Sequence, residues 1–437
     1  MTLRLLLALS ALLFALPAAA QLSAPEQRMI DTVAAEQQRT LDLLERLVEQ
    51  NSGTMNHEGV REVGRIMAAE FEAIGFTTQW VEAPGTDRAG HLVARHEGSA
   101  TGQRLLLIGH LDTVFEPDSP FQSFTIEGDK AIGPGVGDNK GGITVMIAAL
   151  RAMQAAGTLA DANIIAVLTG DEEDAGEPVA AARAVLVAAA EVSDIALDYE
   201  GLSRGDDGED MGSIARRSSS AWTLEVRADS GHSSGVFSEA RGYGAIFEAA
   251  RIIDEYRRVL RLAEPELTFN VGLIAGGEEA ALDTDKIRAT ARGKTNIIAP
   301  IALARGDLRA IDQGQIDRTI ARMQAITAQS LPGTSASLSF DPVTYPPMAP
   351  TAANQALLDR LNMVNADLGL AAMAPLDPMK RGAADISFVA HLVPGINGMG
   401  ALGEGSHAPG ESVDIPALWR QANRAAILMT RLTAEPR

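Results

Sequence analysis

The chain has 437 residues, 46 % apolar and 22 % charged, with 37 Lys and Arg against 57 Asp and Glu, a formal net charge of −20. That length exceeds one ordinary core and makes two domains the expectation. The acidity leaves no basic surface for counterion release, which argues against a nucleic-acid partner. Cysteine is absent, so disulfides and a thiol nucleophile are excluded and a soft-metal site must use His and carboxylate.

The start of the chain runs Arg4, an apolar stretch from Leu5 to Leu16, then Pro17 and Ala18-Ala19-Ala20. A positive start, an apolar core too short to span a bilayer and an A-x-A pattern predict a signal peptide over 1–20, with export to the periplasm or medium and no membrane attachment after cleavage. From Ser23 the capping-box spacing to Glu26 and the recurrence of Ile30, Val33, Leu41, Leu44 and Val48 predict one amphipathic helix ending before Asn51. A second, marked by Val60, Val63, Met67, Phe71 and Ile74, stops at Gly75. Strands are expected at 77–81, 91–95 and 104–108, the last leading into Gly109-His110-Leu111-Asp112.

A glycine-rich turn, 133–142, holds Asp138 and opens a helical pattern over 143–153. It lacks the Gly-Lys-Ser/Thr ending of a phosphate loop. Strand 164–169 leads to Asp171-Glu172-Glu173, a helix follows near 178–190, and strand 194–199 ends at Glu200. Strand, helix and strand, each strand ending in an acid, predict a parallel or mixed sheet. After a polar linker over 201–212, strand 221–227, helix 239–262, strands 267–274, 295–298 and 302–309, helix 315–329 and strand 336–340 spell a β-α-β-β-α-β unit. Helices at 354–368, 383–391 and 415–432 complete the chain, with His407 in a glycine-rich loop between the last two. The expected organisation is α/β: a catalytic domain with a mixed sheet flanked by helices over 21–215 and 341–437, and an inserted two-layer sandwich over 216–340.

His110, Asp112, Asp138, Glu172, Glu173, Glu200 and His407 all fall at strand ends or in glycine loops. Two His and several carboxylates suit zinc, with cobalt or manganese as alternatives, and an isolated Asp138 is the natural bridge between two ions. Such a site favours amide hydrolysis but needs a general base outside the metal shell, for which one of the adjacent glutamates is available. His57, His91, His96 and His391 lack such settings and read as structural.

These motifs resemble the dinuclear zinc peptidases that include glutamate carboxypeptidase, aminoacylase, acetylornithine deacetylase and succinyl-diaminopimelate desuccinylase. The likeness runs through GHLDTV (109–114), GPGVGDNKGG (133–142), GDEE (170–173), GH (231–232), KTNIIAP (294–300) and GEGSHAPGE (403–411). It implies two zinc ions per subunit: His110 and Glu200 on one, Glu173 and His407 on the other, Asp138 bridging. Asp198 is the alternative to Glu200. It also implies Asp112 as the orienter of His110, Glu172 as general base, and a cis peptide at Asp138-Asn139. In the inserted unit, His232 would stabilise an oxyanion in a partner subunit's site, with Asn296 and Arg309 binding substrate, so that this unit serves as lid and homodimer contact. The expected activity is zinc-dependent cleavage of an amide or peptide bond next to an amino acid with a free carboxylate, in a small peptide or N-acyl amino acid, with a glutamate carboxypeptidase favoured. Arg216, Arg217, Arg292 and Arg381 are candidate carboxylate clamps. The alternative is a non-catalytic periplasmic metal- or dipeptide-binding protein.

Overall fold

A computed structural model describes residues 22–99, 101–342 and 344–437. The expected signal peptide and its cleavage point lie outside the described residues. Among those described, no helix is long and apolar enough to cross a membrane.

The chain begins with α1 (Ala24–Ala35), α2 (Gln37–Glu49) and α3 (His57–Glu72). Ser23 and Glu26 form the expected capping box. The single helix expected after Ser23 is instead two, parting at Glu36. The apolar repeat lapses at Glu36 and Gln37, so nothing holds that turn against the core.

Strands β1 (Thr77–Val81), β2 (His91–His96), β3 (Arg104–His110), β4 (Asn163–Thr169) and β5 (Ile195–Asp198) belong to one six-stranded sheet. Its sixth strand, β11 (Gly395–Asn397), comes late in the chain. The order is β1-β2-β4-β3-β5-β11, antiparallel at β1-β2-β4 and parallel from β4 onward. In β3, Leu105 and Leu107 enter the core shared with α1, α2, α3, α4 (Lys140–Ala156) and α9 (Ile415–Ala434). Leu106 and Ile108 enter the core on the opposite face, with Leu186 and Ala189 of α5 (Ala184–Ala190) and Ile386 and Val389. Burial of both faces explains an unbroken apolar run where one-sided strands alternate. On the first face, α8 (Ala352–Asp367) contributes Leu357, Leu358, Leu361 and Val364.

The inserted unit has its own sheet and core. β6 (Ser220–Ala228), β7 (Thr268–Phe269), β8 (Leu273–Gly277), β9 (Ile301–Arg309) and β10 (Thr334–Phe340) pair antiparallel, with β6 between β9 and β10 and with β7 and β8 both on β9. Trp222, Leu224 and Val226 alternate inward against Ile252 and Tyr256 of α6 (Ala245–Leu260) and Met323 of α7 (Gln313–Thr327). The strand expected over 267–274 is thus two pieces, and of 295–298 only Ile297–Ile298 is extended, paired with Gly231–His232. Helix α6 begins later than expected because Gly242 and Gly244 sit at φ +66° and +80°, outside helical geometry. The segments that enter and leave this unit pair with each other, Arg216 with Met348 and Ser219 with Tyr345.

Two further expectations are corrected. The helix expected over 383–391 is a single 3-10 turn, Asp385–Phe388. Asp385 is drawn into the core, where its oxygens accept from Arg183 Nε at 2.7 Å and Thr169 Oγ1 at 2.6 Å. The linker over 201–212 carries a hairpin, Ser203–Arg204 against Asp210–Met211, anchored by Arg424 on Asp210 at 2.6 Å.

α4 packs so closely on the turn after β5 that a Cβ on Gly142 would stand 2.0 Å from Tyr199 O. Gly142→Ala is expected to cost about 1–3 kcal/mol through overpacking, read as a lower urea midpoint with unchanged slope.

Candidate metal centre

Three parallel strands end together. The register sets His110 beside Thr169 and Ile108 beside Asp198, so the segments reaching Glu172-Glu173 and Glu200 emerge next to His110. This is the carboxyl edge, where open α/β sheets place their sites.

Two loops complete the cluster. Thr125–Glu127, Lys130–Ile132, Ser412–Asp414 and Gly403–Glu404 form a small four-stranded sheet. It joins the glycine turn carrying Asp138 to the loop carrying His407. The joint is tightened by Glu411, whose buried carboxylate accepts from Gly137 N at 2.7 Å, Asp138 N at 2.9 Å and Gly135 N at 3.1 Å. Burial, only partly offset by these bonds, pushes its carboxyl up to about 7. The Asp138-Asn139 peptide is cis, and Asn139 Nδ2 donates to Tyr199 O at 2.9 Å.

His110 Nε2 lies 3.0 Å from Asp138 Oδ1 and 3.3 Å from Glu200 Oε1. His407 Nε2 lies 3.3 Å from Asp138 Oδ2 and 3.1 Å from Glu173 Oε2. Asp138 therefore offers one oxygen to each imidazole. His407 is 57 % exposed and held at φ +66°, a left-handed backbone that non-glycine residues rarely adopt and that tends to occur at functional sites. Behind the cluster, Asp112 stands 3.3 Å from His110 Nδ1 and accepts from Thr54 Oγ1 at 2.7 Å and from the N–H groups of Glu172 and Glu173, both at 3.1 Å. One carboxylate thus fixes both the imidazole and the glutamate turn.

That turn has a second support. Arg183 Nη1 donates to Asp171 Oδ1 at 2.6 Å while its Nε holds Asp385, and Tyr345 Oη donates to Glu172 O at 2.6 Å. Asp198 sits one step back, accepting from Asn397 Nδ2 at 2.6 Å, so it is Glu200, not Asp198, that faces His110. Burial, with Glu200 nearby, pushes the Asp198 carboxyl up to about 7.

The residues fit cations. Ligand atoms of His110, Glu172 and Glu200 lie within 4.8 Å of one another, as do those of His110, Asp138 and Glu173. Glu173 Oε1 is buried with no hydrogen-bond partner, an orphan acceptor of the kind an ion satisfies. Burial opposes protonation of His110, but its bonds to Asp112, Asp138 and Glu200 raise it well above its ordinary value, and Asp138 and Glu173 lift His407 to about 11. Burial raises Glu173 to about 7 and Glu172 well above the usual carboxylate range, the latter reinforced by Glu200 and Asp385.

His232, Asn296 and Arg309 lie in the inserted unit and make no contact with this cluster among the described residues. His232 is exposed, with Nδ1 2.8 Å from Ser234 Oγ. Asn296 is its neighbour, accepting at its carbonyl from Ser233 N at 2.9 Å. Arg309 Nε donates to Asp307 at 3.1 Å. His91 is buried, which lowers its pKa from the ordinary imidazole value, and it accepts from Gly170 N at 3.3 Å. A cleft of 990 Å³ lined by Pro178, Val187, Phe388 and His391 lies behind Arg183 and touches none of the clustered ligand atoms. Glu411, Thr54 and the Asp171-Arg183-Asp385 group carried no sequence signal beyond their place in or near the motifs.

A mixed sheet gathering histidines and shared carboxylates at its carboxyl edge, interrupted by a second α/β sheet, is the architecture of metal-dependent peptidases and amidohydrolases. The chain belongs to peptidase family M20/M25/M40, which residues 106–431 match. It is 33 % identical over 178 residues to carboxypeptidase G2 of Pseudomonas sp. strain RS-16, covering 40 % of this chain and 42 % of that protein. It is also 33 % identical over 173 residues to a succinyl-diaminopimelate desuccinylase of Rhodospirillum centenum, covering 37 % and 43 %. The matches thus span less than half of each curated relative. A tripeptidase from Staphylococcus aureus shares the fold, with a TM-score of 0.69, 19 % identity and coverage of 91 % of this chain and 99 % of that one.

Proposed function

We propose that this protein hydrolyses the amide or peptide bond next to an amino acid bearing a free carboxylate, using two zinc ions. The observation that carries this is Asp138, with one oxygen on His110 and the other on His407, and Glu172 beside them. In this reading His110 and Glu200 would hold one ion, Glu173 and His407 the other, and Asp138 would serve both. Bound zinc would supply Lewis acidity to a carbonyl oxygen and acidify water at the site.

The chain's own groups do the rest. Asp112 keeps the His110 proton on Nδ1, leaving Nε2 free as a ligand. Glu172 takes a proton from the attacking water and delivers it to the leaving amine. Burial raises that carboxyl above the usual carboxylate range, though bound cations would pull its pKa back down. The inserted unit, with His232 and Asn296 exposed beside the Ile301 end of β9 and Arg309 at the opposite end of that strand, acts as lid and homodimer contact and supplies groups to the reacting carbonyl. We further place the mature protein outside the cytoplasm, in keeping with the pattern over 1–20. The stretch similar to carboxypeptidase G2 supports a glutamate-releasing carboxypeptidase among the substrate choices.

Purified protein treated with a chelator is expected to lose activity on N-acyl-glutamate and a dipeptide panel, and to regain it on stoichiometric zinc, with cobalt or manganese as lesser substitutes. Hydrolysis that survives complete metal removal, or none with any metal, would reject this reading.

A further inference from the structure

Four arginines could meet a substrate carboxylate, and their surroundings separate them. Arg292 is exposed and paired with Glu279 at 2.6 Å. Arg217 donates to Thr268 Oγ1 at 2.7 Å and Pro378 O at 3.3 Å, away from the cluster. Arg216 already has an acid: it reaches Glu200 at 3.3 Å, Asn397 Oδ1 at 2.7 Å and the carbonyls of Gly382 and Ala383 at 3.1 and 2.9 Å, with only its Nε left unpartnered among the described residues. Arg381 differs. Its Nη2 donates to Gly201 O, the residue after Glu200, and its Nε, like that of Arg216, is buried with no partner among the described residues, but no acid side chain bonds it.

No described acid comes within the 4.0 Å of an ion pair to Arg381. The charged groups that act on it most strongly are Arg216, Glu200, Asp138 and Asp198. Glu200 and Asp138 are the carboxylates that would be neutralised by cations, and Asp198 is held by Asn397. Once ions occupy the cluster, Arg381 is a largely enclosed guanidinium at its edge with no anion of its own. An enclosed charge without a counter-ion is costly, and an Arg fork with open donors matches a carboxylate. We propose that Arg381 binds the free α-carboxylate of the substrate's amino-acid portion, beside the His110–Glu200 half of the site. This rests on the hydrolase reading above and assigns the residue that would impose its requirement for a free carboxylate.

The test compares zinc-loaded wild type, Arg381→Met and Arg381→Lys on N-benzoyl-glutamate and its α-carboxamide, with zinc content measured and glutamate binding followed by calorimetry. Wild type should prefer the acid. Arg381→Met should lose about 10–100-fold in kcat/KM on the acid, chiefly through KM, and little on the carboxamide. Glutamate binding should weaken in parallel at unchanged zinc content, with Arg381→Lys intermediate. Equal losses on both compounds, or a fall in bound zinc that accounts for the loss, would overturn the assignment. If wild type cleaves neither compound, the hydrolase reading fails for this substrate class, and calorimetry still decides: glutamate binding unchanged in Arg381→Met overturns the assignment, and binding lost with Arg381 supports it.

Discussion

Glu172→Gln is expected to lower kcat by about 10²–10⁴-fold, the usual contribution of a positioned acid-base group, while zinc content and the melting temperature stay near wild type. The reason is geometric. The Glu172 turn is held through its backbone, by Asp112 on its N–H and Tyr345 on its carbonyl, so the side chain can change without moving the turn. Among the described residues no hydrogen bond anchors the Glu172 carboxylate itself, and burial, with Glu200, Asp385 and Glu173 around it, favours its protonated form. The sign for pH follows. A base must be deprotonated to accept from water, so kcat/KM should rise with pH through one ionisation on the acid side, and that limb should vanish in Glu172→Gln. Wild-type turnover retained in the variant at full metal occupancy would remove Glu172 from the reaction.

Asp138→Ala should act differently, by emptying the site. Among the described residues Asp138 is the single carboxylate in contact with both His110 and His407; burial opposes its charge, yet the two imidazoles hold its pKa well below the usual range. Removing it leaves neither histidine a shared partner. Zinc stoichiometry measured after dialysis should fall, with activity lost in proportion. Zinc added at about 100 times its Kd should stabilise wild type by about 2.7 kcal/mol, and most of that rise should be absent in the variant. A variant that keeps two tightly bound ions would show that Asp138 does not bridge.

Where one physical cause dominates, the sequence alone was readable. The unbroken apolar run of β3 reflects burial on both faces, and the residues that follow such strands must emerge at the sheet edge, so His110, Glu173 and Glu200 could be grouped before any coordinates. Asp138 and His407 were visible because glycines free the backbone around them. What stayed hidden depends on contacts between distant segments. The stretch over 383–391 has helical spacing, yet the pull of Arg183 and Thr169 on Asp385 limits it to one turn. Glu36 parts a helix whose apolar repeat looked continuous from either side. Glu411 looks like any acid in a polar loop until the small sheet brings it under the Asp138 turn.

That small sheet has a consequence for biosynthesis. The Glu411 contact with Asp138 joins residues 273 positions apart, and His407 arrives with the same late segment. A ribosome that has made everything up to the last seventy or so residues has produced His110, Asp138, Glu173 and Glu200 but not the strand that locks the glycine turn. Nascent or C-terminally clipped chains would then hold at most half a centre. A chain truncated before residue 403 is therefore expected to lose both His407 and the carboxylate that accepts from the Asp138 turn.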